Sequence, residues 1–353
     1  MNRSDEDLAQ TRRRCALATR LWDRMFSALT CIAYRAHGEE GMRSLWFAML
    51  SNHQGGHYRD GLKLLGIDKD PPAIAAAKYH YLSNQIGERR MAYIEESPKK
   101  VWIRYMAPVW MYDGVSLLAL PRSSRRMVLT VWHPRNGPMM GCARLGYVAT
   151  KFITEGEPYD EGYFIEHDRD LAPAETLKFE TARHTPEFDP AKAPKLDPAA
   201  WPEARVLKAR RNFAGGYVTT AIEVLTSAYG EGATAALVAE AMDGLAVQYV
   251  HELRDMAGIA GTGAGAIAAL FAALLEACYQ EFSVESASAA HHRIVLKTFR
   301  PFSGTVSEAL RAAFFRFPFM ATRVLDGRIS ASRQAGADGT EIWDFKDAGR
   351  WLW

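Results

Sequence analysis

The chain nearly repeats itself, and this constrains its fold more than any other feature. Ala36-His37-Gly38-Glu39 returns 192 residues later as Ala228-Tyr229-Gly230-Glu231, and Gly66-Ile67 returns at the same offset as Gly258-Ile259. With one residue inserted, Ile74-Ala75-Ala76 matches Ile267-Ala268-Ala269. The run Val101 to Pro108 (VWIRYMAP) then matches Ile294 to Pro301 (IVLKTFRP), with the basic residue, the apolar positions and the proline all in place. Ordered matches at a near-constant offset are the mark of a tandem repeat. The expected architecture is therefore two copies of one unit of about 190 residues, packed as a pseudo-two-fold dimer within a single chain.

Each copy opens with helical spacing and closes with strand-like runs. In the first, helices are expected over 17–36 and 39–50, and a third begins at Pro71-Pro72 and runs to Ile86. Strands follow near 91–95 and 101–106, then another helix and a closing strand over 163–167. The second copy reads as helices around 206–229, 232–255 and 263–280, with strands near 282–285, 292–299 and 341–345. Helices first and strands later predict an α+β unit rather than an alternating parallel sheet. Between the copies, Pro186, Pro190, Pro194, Pro198 and Pro202 punctuate an extended linker. The expected organisation is a first repeat over 1–180, a linker over 181–205 and a second repeat over 206–353.

Charge narrows the partners. With 43 basic and 41 acidic residues the net charge is +2, which offers no electrostatic reason to expect nucleic acid or a membrane surface. The stretch Ala264 to Cys278 is too short to span a bilayer. The N-terminus, with acids and three consecutive arginines, does not read as a secretion signal, and four widely spaced cysteines suit free thiols in a reducing compartment. A cytoplasmic protein is expected, with a small-molecule ligand or substrate and room for an oligomer.

Several motifs bear on chemistry. Gly261, Gly263 and Gly265 follow a helix and precede no Lys-Ser or Lys-Thr, so they read as a helix start, and no nucleotide cofactor is expected. His53 and His57 have the spacing that can place two imidazoles on one divalent metal, although Gly55 and Gly56 argue for a polar loop there. The densest polar run is Glu155 to Asp170. As a strand over 163–168 it would put Phe164, Glu166 and Asp168 on one face and Tyr163, Ile165 and His167 on the other. His167 is the expected general base, with Glu166, Asp168 and Asp160 as orienting or metal-binding acids. Tyr159, Tyr163 and Arg104 are the expected substrate contacts. The matching end of the second copy has acids but no histidine, which favours the first copy as the site. Cys142 among small neighbours reads as a buried cysteine, His291-His292 as a strand edge, and Glu39 and Glu231 as helix-start acids.

The segments Gly61 to Ile67, Val101 to Pro108, Gly258-Ile259 and Ile294 to Pro301 together resemble the L-2-amino-thiazoline-4-carboxylic acid hydrolase family. That resemblance implies an enzyme that opens a C–N bond in a polar heterocycle. Where the family tends to carry a cysteine before the strand-ending proline, this chain has Ala107 and Arg300, and the acidic run Tyr159 to Asp170 replaces a later Gly-Asp-x-x-Cys-like segment. A similarity in shape to 4-vinyl-reductase-type domains implies instead a non-catalytic, sensor-like binding protein.

Overall fold

A computed structural model of the protein describes residues 3–107, 119–182, 184–299, 306–336 and 339–353. Pro108, Trp110, Tyr112, Arg300 and Pro301 lie outside the described residues. The fold is α+β, with two separate sheets. Contacts divide the chain into a middle unit, Tyr34–Val206, and a terminal unit that joins Met1–Ala33 to Leu207–Trp353.

The first helix, α1 (Arg3–Leu64), is broken at Gly38, whose φ of 67° and ψ of −166° are open only to glycine. Gly230, 192 residues further on, has a φ of 82° and a ψ of 165° and caps the start of α6 (Glu231–Ala257), after α5 (Glu203–Tyr229). Beyond Gly38, α1 runs straight through Gly55 and Gly56, where the sequence suggested a loop. The cost of two glycines, about 1 kcal/mol each, is outweighed because Gln54, Tyr58 and Leu62 recur at helical spacing and are all buried.

In the middle unit, α2 (Pro72–Ile86) starts on its paired prolines as expected and lies on the sheet. The hairpin β1 (Met91–Ser97) and β2 (Lys100–Met106) precedes α3 (Ser124–Trp132) and the short α4 (Asn136–Met140). Then come β3 (Leu145–Lys151), β4 (Tyr159–Glu166) and the short β5 (Leu177–Phe179). The strand order is β1-β2-β4-β3-β5, antiparallel except where β5 joins β3.

The closing strand differs from its expected limits. β4 begins at Tyr159 and stops at Glu166, so His167 and Asp168 lie beyond it. Pairing on both sides sets those limits, with Tyr159 opposite Met106, Ile165 opposite Lys100 and Glu166 opposite Leu145. The proline-rich segment forms no helix or strand between Glu180 and Glu203 among its described residues, yet Ala193 is buried and Phe188 and Leu196 pack on the unit's core.

The terminal unit has α7 (Ala264–Ala277), the hairpin β6 (Phe282–Ser288) and β7 (His291–Leu296), α8 (Glu308–Leu325), and the hairpin β8 (Ile329–Ala335) and β9 (Glu341–Asp347). Its strand order is β6-β7-β9-β8, antiparallel throughout. Helix α7 packs on this sheet, and α8 packs on α6 and β8. Among the described residues, no helix is long and apolar enough to cross a membrane.

Close approach within the middle sheet makes a sharp test. A Cβ on Gly162 would meet the Tyr147 phenol and the Val148 carbonyl, whereas one on Gly244, in α6, would meet nothing. Gly162→Ala should therefore lose at least about 1–3 kcal/mol, and Gly244→Ala should gain about 1 kcal/mol. Urea denaturation of the two variants compares them directly; equal midpoints would contradict this packing.

Candidate functional site

Alternation along β2 and β4 divides the expected site residues between two faces of the middle sheet. One face carries Trp102, Arg104, Tyr159, Glu161 and Tyr163; the other carries Tyr105, Asp160 and Phe164. Arg104, Tyr159 and Tyr163 are thus brought together. The Arg104 guanidinium lies 5.0 Å from the centre of the Tyr159 ring and donates to Glu161 at 2.6 Å and to the Pro186 carbonyl at 2.5 Å. The Tyr163 hydroxyl donates to Glu180 at 3.1 Å, and burial and that carboxylate push the phenol up to about 12.

The expected acids do not gather around His167. Asp160 points to the opposite face, has no exposed surface, accepts from Arg125 of α3 at 2.6 Å and also accepts the Ile153 amide at 2.8 Å. Glu166 pairs with Arg144 at 2.6 Å at the strand end. Asp168 is exposed and pairs with Lys99 at 2.7 Å, an ion pair that holds its carboxyl below the usual range. His53 and His57 share one side of α1 with ring centres 5.5 Å apart. Among the described residues, no group of three or more histidines, cysteines or carboxylates is placed to hold a metal. His291 and His292 point apart, to Asp344 and Ser286.

One connected polar cluster lies among residues the sequence did not single out. His80 of α2, Tyr105 of β2, His133 just after α3, Asn136 of α4 and Gln54 of α1 form one hydrogen-bonded chain beneath the sheet. Burial drives His80 down to about 3, and burial with its stacked neighbour His80 drives His133 well below its ordinary value. Both rings are therefore neutral, each with one N–H to place.

The Leu129 carbonyl decides every proton. It can only accept, so His133 Nδ1, at 3.2 Å, carries the hydrogen and Nε2 is bare. Tyr105 then donates to His133 Nε2 at 2.9 Å, and its oxygen accepts from His80 Nδ1 at 3.1 Å. His80 Nε2 is left to accept the Asn136 amide at 2.8 Å, and Asn136 Oδ1 accepts from Gln54 at 2.8 Å. Gln54 ends the chain on the Trp132 carbonyl at 2.8 Å. Every donor in this line meets an acceptor, and the line begins and ends on α3 backbone carbonyls. Such a network orders a core. The imidazole nitrogens are all taken up within the network, so neither histidine offers a base to a substrate; the Gln54 side-chain carbonyl oxygen is buried without a partner among the described residues.

A recess of different character lies in the terminal unit. Its volume is about 90 Å³. Its lining includes Trp22 and Met25 of α1, Phe271 and Leu274 of α7, Phe317 of α8 and Trp343 of β9. Phe271 anchors this aromatic lining, stacked on Phe345 with ring centres 5.4 Å apart and edge-on to Phe317 at 6.1 Å. No charged side chain lines it among the described residues; the polar ones are Cys278, whose thiol burial pushes up to about 12, and Gln280. The sequence signal for this recess was present but unspecific, since aromatic residues at helical spacing usually read as core.

No protein-family model, curated protein or solved structure matches this chain. Geometry and chemistry alone therefore carry the functional reading.

The neutral histidines set an acid limit on stability. Unfolded imidazoles take up protons below about pH 6.5, whereas folded His80 resists until about 3. The folded state is thus fully favoured above 6.5 and loses ground as the pH falls through that window, by up to about 1.4 kcal/mol per unit per histidine. Urea midpoints at pH 7 and pH 5.5 should differ clearly in the wild type and less in His133→Gln. Identical wild-type midpoints would show that these rings are not held neutral.

Proposed function

We propose that this protein binds a small apolar molecule in the recess of its terminal unit. The observation that carries this reading is the recess itself, a concave, aromatic-lined space of about 90 Å³ with few polar groups, the kind of lining that small-molecule sites have. The sequence also suggested hydrolysis of a C–N bond in a polar heterocycle. Binding is the better-supported reading. General acid–base work needs a titratable group within reach of the reacting atoms. The recess lining offers only a thiol held protonated, while Glu161, Asp160 and Glu166 are each committed to an arginine.

We also infer that the two units descend from one duplicated ancestor, which would explain why each has the same plan. Counting α1 as two segments about Gly38, residues 3–180 and 203–353 each place three helical segments before a hairpin, a further helix and two more antiparallel strands, and in both the first four strands run first, second, fourth, third. Both break or cap a helix at a left-handed glycine, Gly38 and Gly230. In both, an arginine of the later helix meets a carboxylate with no exposed surface: Arg125 with Asp160, and Arg311 with Glu341 at 3.2 Å. Within the terminal unit, Cys15 Sγ donates to the Leu207 carbonyl at an offset of 192 residues, and the Phe26 ring meets Tyr217 one residue from that offset. Contact between matched positions is what a two-fold axis between like helices produces.

The neutral fluorophore N-phenyl-1-naphthylamine tests the binding reading. The wild type should enhance its emission saturably with one site per chain and gain thermal stability as ligand is added. Leu275→Trp, which fills the recess from a half-buried position, should weaken that binding at least tenfold while the melting temperature without ligand changes little. Unsaturable, non-stoichiometric emission from the wild type would overturn the reading.

A further inference from the structure

A second concavity lies in the middle unit and owes nothing to the recess or to the binding reading above. Residues of α1 beyond its break at Gly38 and of α3 line a cleft of about 360 Å³. That volume falls within the roughly 300–1,000 Å³ of small-molecule sites. Glu39, Arg43 and Phe47 line it from α1. Four residues apart, they form one stripe along the helix, with about 6 Å of rise between successive members. From α3 come Met127 and Val131, both buried, so the cleft has an apolar floor at the level of the exposed Phe47 ring.

The stripe is ordered by chemistry: a carboxylate, then a guanidinium, then a ring. Glu39 accepts a hydrogen bond from the Ser123 hydroxyl, and no cation pairs with it among the described residues. A carboxylate has further lone pairs to offer after one such bond. Arg43 meets Glu40 at 3.5 Å, with both side chains more than half exposed, and a contact of that kind holds a guanidinium weakly. Arg126, the other cation of the lining, is committed elsewhere. It gives two bonds to Glu155, one of them at 2.7 Å, and lies 4.5 Å from the centre of the Phe152 ring. The cleft thus presents one negative and one positive group a single helical turn apart, followed by apolar surface.

That order specifies a complement. A simple acid would gain Arg43 but meet Glu39 as a like charge, and a simple amine would gain Glu39 but meet Arg43. A molecule with an ammonium and a carboxylate on one carbon answers both groups, in the charge-assisted hydrogen bonds that are the strong ones. A bulky apolar side chain on that carbon can then lie against the Phe47 ring and the Met127 thioether, both favourable surfaces for it.

We propose that this cleft binds a free α-amino acid with a bulky apolar side chain, its ammonium on Glu39, its carboxylate on Arg43 and its side chain against Phe47 and Met127.

Calorimetric titration of the full chain at neutral pH tests this with L-phenylalanine and L-leucine. Two analogues that each lack one charge, 3-phenylpropanoate and 2-phenylethylamine, complete the set. Both amino acids should bind at one site per chain. Each analogue should bind at least about tenfold more weakly than L-phenylalanine, the worth of one charge-assisted hydrogen bond. Arg43→Gln should weaken L-phenylalanine to the level of 2-phenylethylamine without weakening the amine. Glu39→Gln should bring L-phenylalanine to the level of 3-phenylpropanoate without weakening the acid. All three stripe residues are exposed, so these variants keep the fold, and unchanged melting temperatures without ligand check that they do. Absence of binding by both amino acids at millimolar concentration overturns the proposal. So does an analogue that binds as tightly as L-phenylalanine, or an Arg43→Gln variant that loses the amine as much as the amino acid. The fluorophore reports on the recess in the other unit, so its success or failure leaves this result unaffected.

Discussion

A carboxylate sealed from water costs several kcal/mol unless an opposite charge meets it in good geometry. Each unit builds its sheet around such a group. Asp160 sits in β4, between β2 and β3, with no exposed surface, and Arg125 reaches it from α3 while the Ile153 amide takes its second oxygen. Glu341 occupies β9, between β7 and β8, and is met by Arg333 of the neighbouring strand at 2.9 Å and by Arg311 of α8. Helix and strand are thereby held in one register, because a shift of one residue would turn the acid to the other face and leave the arginine stranded. Replacing such a pair by apolar residues can be tolerated, but removing one partner cannot. The rest of each unit is arranged around that tie.

The middle unit adds a second polar layer beside the first. His80 and His133 stack with ring centres 4.3 Å apart, and the Tyr147 ring stacks on His133 at 4.4 Å. Rings packed this closely leave no space for a counter-ion, which is the physical reason that the imidazoles stay neutral and pass one proton each along a single direction. Phe164, with no exposed surface, stacks on both histidines and links the relay to the centre of the sheet. Reversing any one amide or ring would set donor against donor or acceptor against acceptor, so the relay selects one arrangement of five side chains from four helical segments and a strand.

Much of this plan is legible in the sequence where the interactions are local. The paired prolines at 71 and 72, the apolar run over 101–106 and the Gly-Glu steps at 38 and 230 each mark an element boundary through backbone chemistry alone. The reading falters where tertiary packing decides. Gly55 and Gly56 suggest a break, but three buried side chains one turn apart carry the helix across them. Asp160 and Glu161 look like the rim of a loop, because nothing near them in sequence announces Arg125 or Arg104. The relay is illegible for the same reason, since its members are spread from Gln54 to Asn136 and no local spacing joins them. Its nearest hint is a histidine, His80, at a buried position of α2 between two buried tyrosines, Tyr79 and Tyr81.

The matched runs place hydroxyls of different reach in the two units. In the alignment of Val101–Pro108 with Ile294–Pro301, Tyr105 falls opposite Thr298. Both side chains end in a hydroxyl that accepts one hydrogen bond and donates another: Tyr105 between His80 and His133, Thr298 between the Glu281 amide and Gln280. The phenol carries its hydroxyl deep into the interior, where histidines fill the space around it. Threonine keeps the same chemistry close to the backbone. On the next strand pair, Tyr147 opposite Phe164 in the middle unit has its counterpart in Ala331 opposite Phe345 in the terminal unit, again large against small. In the middle unit these positions build a filled polar core, whereas in the terminal unit smaller side chains stand beside a sheet of the same strand order.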